Sequence, residues 1–230
     1  MRLHPIGLTV LLALTAAAAP AAADETWRLD AWSSTRWLGD TSAAILVGGN
    51  TLGAGGVGGV RRWLSIEPPG VLADWLGHVD VDSYLAAEWG GADGEVFAGL
   101  ATHIDHASYT AGGQIRIRPL SWLAAGVRAG AGAARTGATV EGGGMASIDD
   151  HRWTSVSSTA IRIDVAPLHS QRFRFGVSTE LGYVATGAVE LHAYPADRPD
   201  AERSIPTMYE SIGHLDLDGW QWSIGANVAF

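Results

Sequence analysis

Imidazoles and carboxylates lie side by side at several points of this 230-residue chain. The run His103-Ile104-Asp105-His106 sets two histidines around one aspartate, Asp149-Asp150-His151 and His214-Leu215-Asp216 repeat the juxtaposition, and Asp80-x-Asp82 pairs two carboxylates. Imidazole with carboxylate is a competent ligand set for a divalent cation, and a histidine oriented by an aspartate can activate water as a general base. Asp80, Asp82, His103, Asp105, His106, Asp149 and His151 therefore form the candidate metal set. None of these spacings has the specificity of two histidines on one helical turn, so a hydrated polar rim accounts for them equally well. His169-Ser170 places a nucleophile beside a base, but adjacent side chains on a turn need not face one site. The expectation is a protein with no cofactor and no enzymatic activity.

The elements that would position these residues are strands. In WQWSIGANVAF, Trp220 to Phe230, every even position is apolar (Trp220, Trp222, Ile224, Ala226, Val228, Phe230). This is the period of a strand with one greasy face. The same alternation runs through Arg172 to Leu191, Arg152 to Val165, Ser121 to Ala134 and Ser108 to Arg118. Glu95 to Asp105, Val79 to Gly90 and the glycine-rich Leu52 to Trp63 read as three more, giving eight. The 30 glycines fall inside these segments and not in a flexible tract.

Met1-Arg2, the apolar run Leu8 to Ala18 and the small residues Ala21-Ala22-Ala23 read as a secretory signal peptide over residues 1–23. No later stretch approaches 18 consecutive apolar residues, so no helix is expected to cross a membrane. The chain has no cysteine, which removes both disulfides and a lipid-modified thiol as sources of stability or anchoring. Without Arg2, 14 basic residues stand against 24 acidic ones, a formal charge of −10 that argues against nucleic acid as a partner.

The connections alternate in length: long from Leu64 to His78, tight at Gly90-Gly91-Ala92-Asp93, short at Asp105 to Ala107, tight at Pro119-Leu120. They continue long over residues 135–149, tight from Pro167 to Gln171 and longest over residues 192–216. Short turns on one side and longer loops on the other are the signature of a transmembrane antiparallel up-and-down β-barrel, with periplasmic turns and extracellular loops. With the tight turns at the periplasmic side, Phe230, Phe173, Trp122 and Trp89 gather there, and Trp220, Trp222, Trp153, Trp63 and Tyr109 gather at the other side. A soluble β-sandwich also alternates, but its strands need no aromatics at both ends. Their second faces here are rich in Gly, Ser, Asn, Gln and Arg.

WQWSIGANVAF resembles the C-terminal strand of bacterial outer-membrane β-barrel proteins, in which a terminal Phe and alternating hydrophobics are read by the barrel-assembly machinery. With the signal peptide and the hairpin pattern, residues 51–230 resemble the small eight-stranded barrels of the outer-membrane protein A-like kind. The resemblance implies location in the bacterial outer membrane. It also implies outer-membrane lipid, lipopolysaccharide and the assembly machinery as partners. Residues 24–50 depart from the pattern: Thr26 to Leu38 and Ala43 to Gly49 read as an N-terminal extension or as one more hairpin, which would give ten strands.

An eight-stranded barrel has a lumen filled by side chains. Its inward faces should carry Arg116, Arg118, Arg128, Arg162, Arg172 and Arg174, partnered by Glu88, Asp164, Glu180 and Glu190 in a network that knits the lumen shut. The functional expectation is a structural or surface-contact role, with a small-solute pore as the alternative if there are ten or more strands. Asp80-x-Asp82 and Asp149-x-His151 are also similar to the Asp pair and Asp-His pair of the omptin proteases, which implies a rim hydrolase as a further alternative. Omptins, however, have ten strands.

Overall fold

The computed structural model describes residues 26–46, 48–96, 100–141, 148–169, 173–193 and 210–230. The proposed signal peptide lies outside them. Eight strands close into one ring: β1 (Trp27–Leu38), β2 (Thr51–Ile66), β3 (His78–Val96), β4 (Leu100–Leu120), β5 (Leu123–Glu141), β6 (Ile148–His169), β7 (Arg174–Thr186) and β10 (Gly219–Ala229). Each pairs antiparallel with its chain neighbour, except that β7 pairs with β10 across the excursion β8 (Val189–Ala193) and β9 (Glu210–Leu215), a small separate hairpin. The ring closes where β1 pairs with β10 from Arg28 opposite Ala229 to Leu38 opposite Gly219. Trp27 and Phe230 exchange both backbone hydrogen bonds at 2.9 and 3.0 Å.

The distribution of side chains is inside out. Val81, Leu85, Ile115, Val127, Ile161, Val177, Leu181 and Ile224 are exposed on the outer wall, while Arg28, Asp30, Asp80, Asp82, Arg116, Arg162 and Asp164 are buried within. Water would favour the reverse. A closed barrel with an apolar exterior satisfies every ladder group internally and presents hydrocarbon to hydrocarbon, which excludes the soluble sandwich.

The lower end of the barrel is taken as the one where Trp27 meets Phe230. Trp27, Trp63, Trp122 and Phe173 are exposed near it, and Trp37, Trp153, Tyr183, Trp220, Trp222 and Tyr109 are exposed toward the upper end. Rings within each belt touch: Tyr109 stacks on Trp153 at 6.3 Å, Tyr183 meets Trp220 edge-on at 5.8 Å, and the Arg61 guanidinium lies between Trp27 and Trp63. The even residues of β10 are exposed as expected as far as Ala226, but Val228 is covered, in register with Leu29 and Phe175.

Several expectations are corrected. Trp27–Leu38 is neither an extension nor part of a ninth and tenth strand; it is β1, paired on both edges. The count of eight nevertheless stands, because the segments expected as Val79 to Gly90 and Glu95 to Asp105 do not form a hairpin. β3 runs unbroken through Gly90-Gly91-Ala92-Asp93, and β4 runs unbroken through Asp105 to Ala107. There the strands rise above the upper belt, where the outward face no longer meets hydrocarbon and turn-forming polar residues are tolerated. Two tryptophans change ends in consequence: Trp63 belongs to the lower belt, and Trp89, opposite Ala107 and Gly55, lies in the upper half. The long 67–77 connection, carrying the short helix Val71–Leu76, sits at the lower end with the tight turns. The helix is set between Gly70 (φ 62°) and Gly77 (φ 59°), and a Cβ at Gly77 would collide with the Arg118 carbonyl.

The glycines of the inner wall make room for two lumenal rings. Trp32 lies over Gly56 and Gly58, and Tyr84 over Gly112 and Gly130. Gly130→Ala, whose Cβ would meet the Tyr84 hydroxyl, is expected to cost about 1–3 kcal/mol of overpacking. Gly53→Ala, with nothing within 4 Å, should be near neutral. Ile161→Arg, midway down the outer wall, should cost about 2–4 kcal/mol. Urea unfolding of the folded protein in lipid or detergent measures all three.

Candidate functional site: the lumen and its two ends

The inward residues of β1 read upward as Arg28, Asp30, Trp32, Ser34, Arg36 and Leu38, so this one strand reaches from the lowest layer through the Glu88 cluster to the cap. At the lowest level, Arg28 Nε stands 3.1 Å from Asp30 and its Nη1 donates to Asp164 at 3.3 Å. Arg162, from β6, donates to Asp30 at 2.8 and 3.3 Å and through Nε to Asp164 at 2.9 Å. Arg116 donates to Asp82 at 2.7 Å. Three guanidiniums then converge on Asp80: Arg118 at 2.8 Å, Arg62 at 3.5 Å and Arg116 at 3.6 Å. The amides complete the layer: Gln114 Nε2 donates to Asp82 at 2.7 Å and Asn227 to Asp164 at 3.3 Å.

Above this, Arg128 donates to Glu180 at 2.9 Å and lies over the Tyr84 ring at 4.2 Å. Glu88 organises the next level. It accepts from Arg36 at 3.1 Å, Gln221 at 2.7 Å, the Trp32 indole at 3.0 Å and the Ser34 hydroxyl at 3.2 Å. Arg36 in turn donates to Gln221 at 3.0 Å, so the acid and base share one amide. Burying carboxylates this far is costly unless guanidiniums face them, and each of these six faces at least one.

The upper mouth is closed differently. Leu38, Leu52, Ile104 and Ala138 of the wall pack with Ala43 of the helix Thr41–Leu46, Val189 of β8, Leu215 of β9 and Leu217 just after it. Polar contacts fix this apolar cap. Thr102 donates to the Leu46 carbonyl, Leu217 N–H to Thr186 Oγ1 at 3.2 Å, and Thr186 N–H to Asp218. Outside the wall, partial desolvation and the neighbouring Asp218 carboxyl push the Asp216 carboxyl above its ordinary range, against the Asp218 N–H that donates to it at 2.8 Å. Described residues line an upper cavity of about 670 Å³ and a lower one of about 490 Å³, both counting solvent-open space. The Arg28–Asp30–Arg162–Asp164 layer lies between them.

The candidate metal set is dispersed by this topology. Asp80 and Asp82 lie in the lower lumen, committed to arginines. His106 also points inward but at the upper level, its Nδ1 3.3 Å from Thr136 Oγ1. His103 and His151 face outward above the upper belt, in separate pairs: His103 with Asp93 at 2.7 Å, His151 with Asp105 at 3.3 Å. Asp149 stands opposite Thr139 in the ladder. Among the described residues no three such ligands converge, and the omptin-like pairing of Asp80 and Asp82 with His151 does not form. The reason is parity and strand direction: β3 enters at the lower end with Asp80 and Asp82 inward, while β6 enters at the upper end with His151 outward.

Of the expected lumen network, Arg116, Arg118, Arg128, Arg162, Arg174, Glu88, Asp164 and Glu180 all lie on inward positions; Arg172 falls outside the described residues, and Glu190 is exposed on β8. Arg28, Asp30, Arg36 and Arg62 belong to the same network, with Asp80 and Asp82. The signal for the β1 members was their spacing at i, i+2 and i+8 in WRLDAWSSTRWL, hidden by a tryptophan on each face.

No protein-family model matches the chain, and no curated protein matches it. Solved structures with similar shape are Neisserial surface protein A, at 11% identity over 89% of this chain and 97% of that one with a TM-score of 0.49, and Ail, the attachment invasion locus protein of Yersinia pestis, at 11% identity over 90% and 100% with a TM-score of 0.47. The transport unit of the autotransporter AIDA-I from Escherichia coli aligns at 10% identity over 100% and 99% with a TM-score of 0.35.

Arg162 holds Asp30 and Asp164 together. Arg162→Gln leaves both short of a cation and is expected to cost about 3–5 kcal/mol of unfolding free energy, read from the urea midpoint in detergent micelles.

Proposed function

We propose that this protein is an integral barrel of the bacterial outer membrane, exported by residues 1–23, with its lower end in the periplasm and a structural or surface-contact role carried by its upper connections. What carries this reading is the combination of an apolar wall with a lumen obstructed at three levels: the Asp30–Arg162 layer, the Glu88 cluster and the apolar cap. A conducting pore needs a continuous aqueous path. The alternative that depended on ten strands loses its premise in a ring of eight.

The upper surface offers hydrated carboxylate–histidine pairs, Asp93 with His103 and Asp105 with His151, at the level where a barrel of this kind meets lipopolysaccharide and its bridging cations. With the catalytic pairs apart, the reading is non-enzymatic. The partners are outer-membrane lipid, lipopolysaccharide and, during insertion, the barrel-assembly machinery.

The purified protein should give no steady nanosiemens openings in planar bilayers. It should fractionate with the outer membrane and migrate faster unheated than boiled on a denaturing gel. Steady openings would overturn the closed lumen, and an unshifted band in the soluble periplasm would overturn the membrane assignment.

A further inference from the structure

The two most exposed large apolar side chains among the described residues stand not on the outer wall but on the short helix Val71–Leu76 at its lower end: Trp75 at 75% and Val71 at 73%. Leu72 is exposed beside them, and no residue of the helix is fully buried. On the helix Val71, Leu72 and Trp75 share one arc of about 100°, and Asp74 lies on nearly the opposite side from Leu72. Ala73 and Leu76 are half-buried, and the helix touches β4.

Six residues are too few to hold a helix in water by local hydrogen bonds alone, and this one has no buried side chain to add packing. It is rigidly mounted all the same. Pro68 and Pro69 precede it, Gly70 and Gly77 turn the chain at its ends, and Gly77 lies against the Arg118 carbonyl too closely to admit a Cβ. None of its residues is among those lining the lower cavity, so it stands beside the mouth and does not plug it. Its apolar arc continues the outer wall. Leu64 and Ile66 end β2 exposed, opposite Val81 and Val79, and Trp63 of the lower belt precedes them. Residues 63–77 include Glu67 and Asp74 and no arginine or lysine.

We infer that Val71–Leu76 is an interfacial anchor, lying at headgroup level in the leaflet at the lower end, with Val71, Leu72 and Trp75 seated on phospholipid. That leaflet is the periplasmic one, which rests on the membrane placement and orientation proposed above. An apolar arc continuous with a lipid-facing wall meets the same lipid, and tryptophan suits the boundary between hydrocarbon and water. With two acids and no arginine or lysine, the segment binds by apolar burial and not by attraction to anionic headgroups, so zwitterionic phospholipid suffices. Lipid gives the helix the cover that the barrel does not provide.

The chain has no cysteine, so a single substitution places a spin label uniquely. The full protein carrying Leu72→Cys, Asp74→Cys or Ile161→Cys is labelled, checked for folding by heat-modifiable migration and reconstituted in phosphatidylcholine bilayers. Collision of each label with oxygen is then compared with collision with a water-soluble nickel chelate. Ile161, exposed on the outer wall, reports the placement of the barrel itself. The labels at positions 72 and 161 are expected to favour oxygen over nickel several-fold more than the label at position 74, and added phosphatidylglycerol is expected to change neither. Position 161 in lipid with position 72 open to nickel overturns the anchor alone, whereas position 161 open to nickel overturns the membrane reading and the anchor with it. Shielding of position 72 only when phosphatidylglycerol is present overturns anchoring by apolar burial. Spin–spin broadening at position 72 assigns the arc to a second copy of the chain and overturns the lipid assignment. Should Leu72→Cys fail to fold, Val71→Cys reads the same arc with the same outcomes.

Discussion

Closure of the β1–β10 seam is the constraint on which everything else rests. In hydrocarbon an unpaired ladder edge leaves a row of unsatisfied N–H and C=O groups, each costing several kcal/mol, about the size of a lost buried hydrogen bond with its desolvation. β1 and β10 remove both edges at once, pairing along their whole shared length, and Trp27 and Phe230 finish the seam with two backbone bonds. Once the ring is closed, strand parity has only two destinations, lipid and lumen. A one-residue slip would send Arg28, Asp30 and Arg36 into lipid.

Filling the lumen is then a problem of matching volumes and charges within a narrow tube. Bulk is handled by laying Trp32 and Tyr84 over glycine pairs on the neighbouring strands, the large-against-small interdigitation that small barrels use. Charge is handled by layers in which arginines from β1, β2, β4, β5 and β6 meet aspartates and glutamates from β1, β3, β6 and β7. Pairing across so many strands means each ion pair also reports that the strands are in register. The charged layers end at the apolar cap, where the helix Thr41–Leu46 and the β8–β9 hairpin fold over the mouth and cover Leu38, Leu52 and Ile104.

Much of the wall was legible in the residues. β5, β6, β7 and β10 alternate cleanly because lipid on one side and packed polar groups on the other apply opposite demands to successive positions. β1 was not legible as a barrel strand, because its inward face includes Trp32 and Leu38 while its outward face includes Ser33 and Thr35, which blurs the contrast that alternation depends on. β3 and β4 were cut in two for the opposite reason. Above the upper belt the outward face meets water and not lipid, so Gly90-Gly91 and Asp105 look like turns although the ladder carries straight on. The expected metal set shows the same limit, since nearness in sequence did not distinguish His103 and Asp105, which face outward, from His106, which faces inward.

By itself the sequence determined the class of fold, the inside-out polarity of its strands and most of the arginines and acids of the lumen, because period-two patterning is a local property written residue by residue. Tertiary structure alone decided which end each tryptophan occupies, that residues 27–38 close the ring, and that Asp80 and Asp82 serve arginines and not histidines. Those outcomes depend on strand direction and on which strand sits opposite, and neither is encoded in any window of the chain short enough for a pattern to reveal.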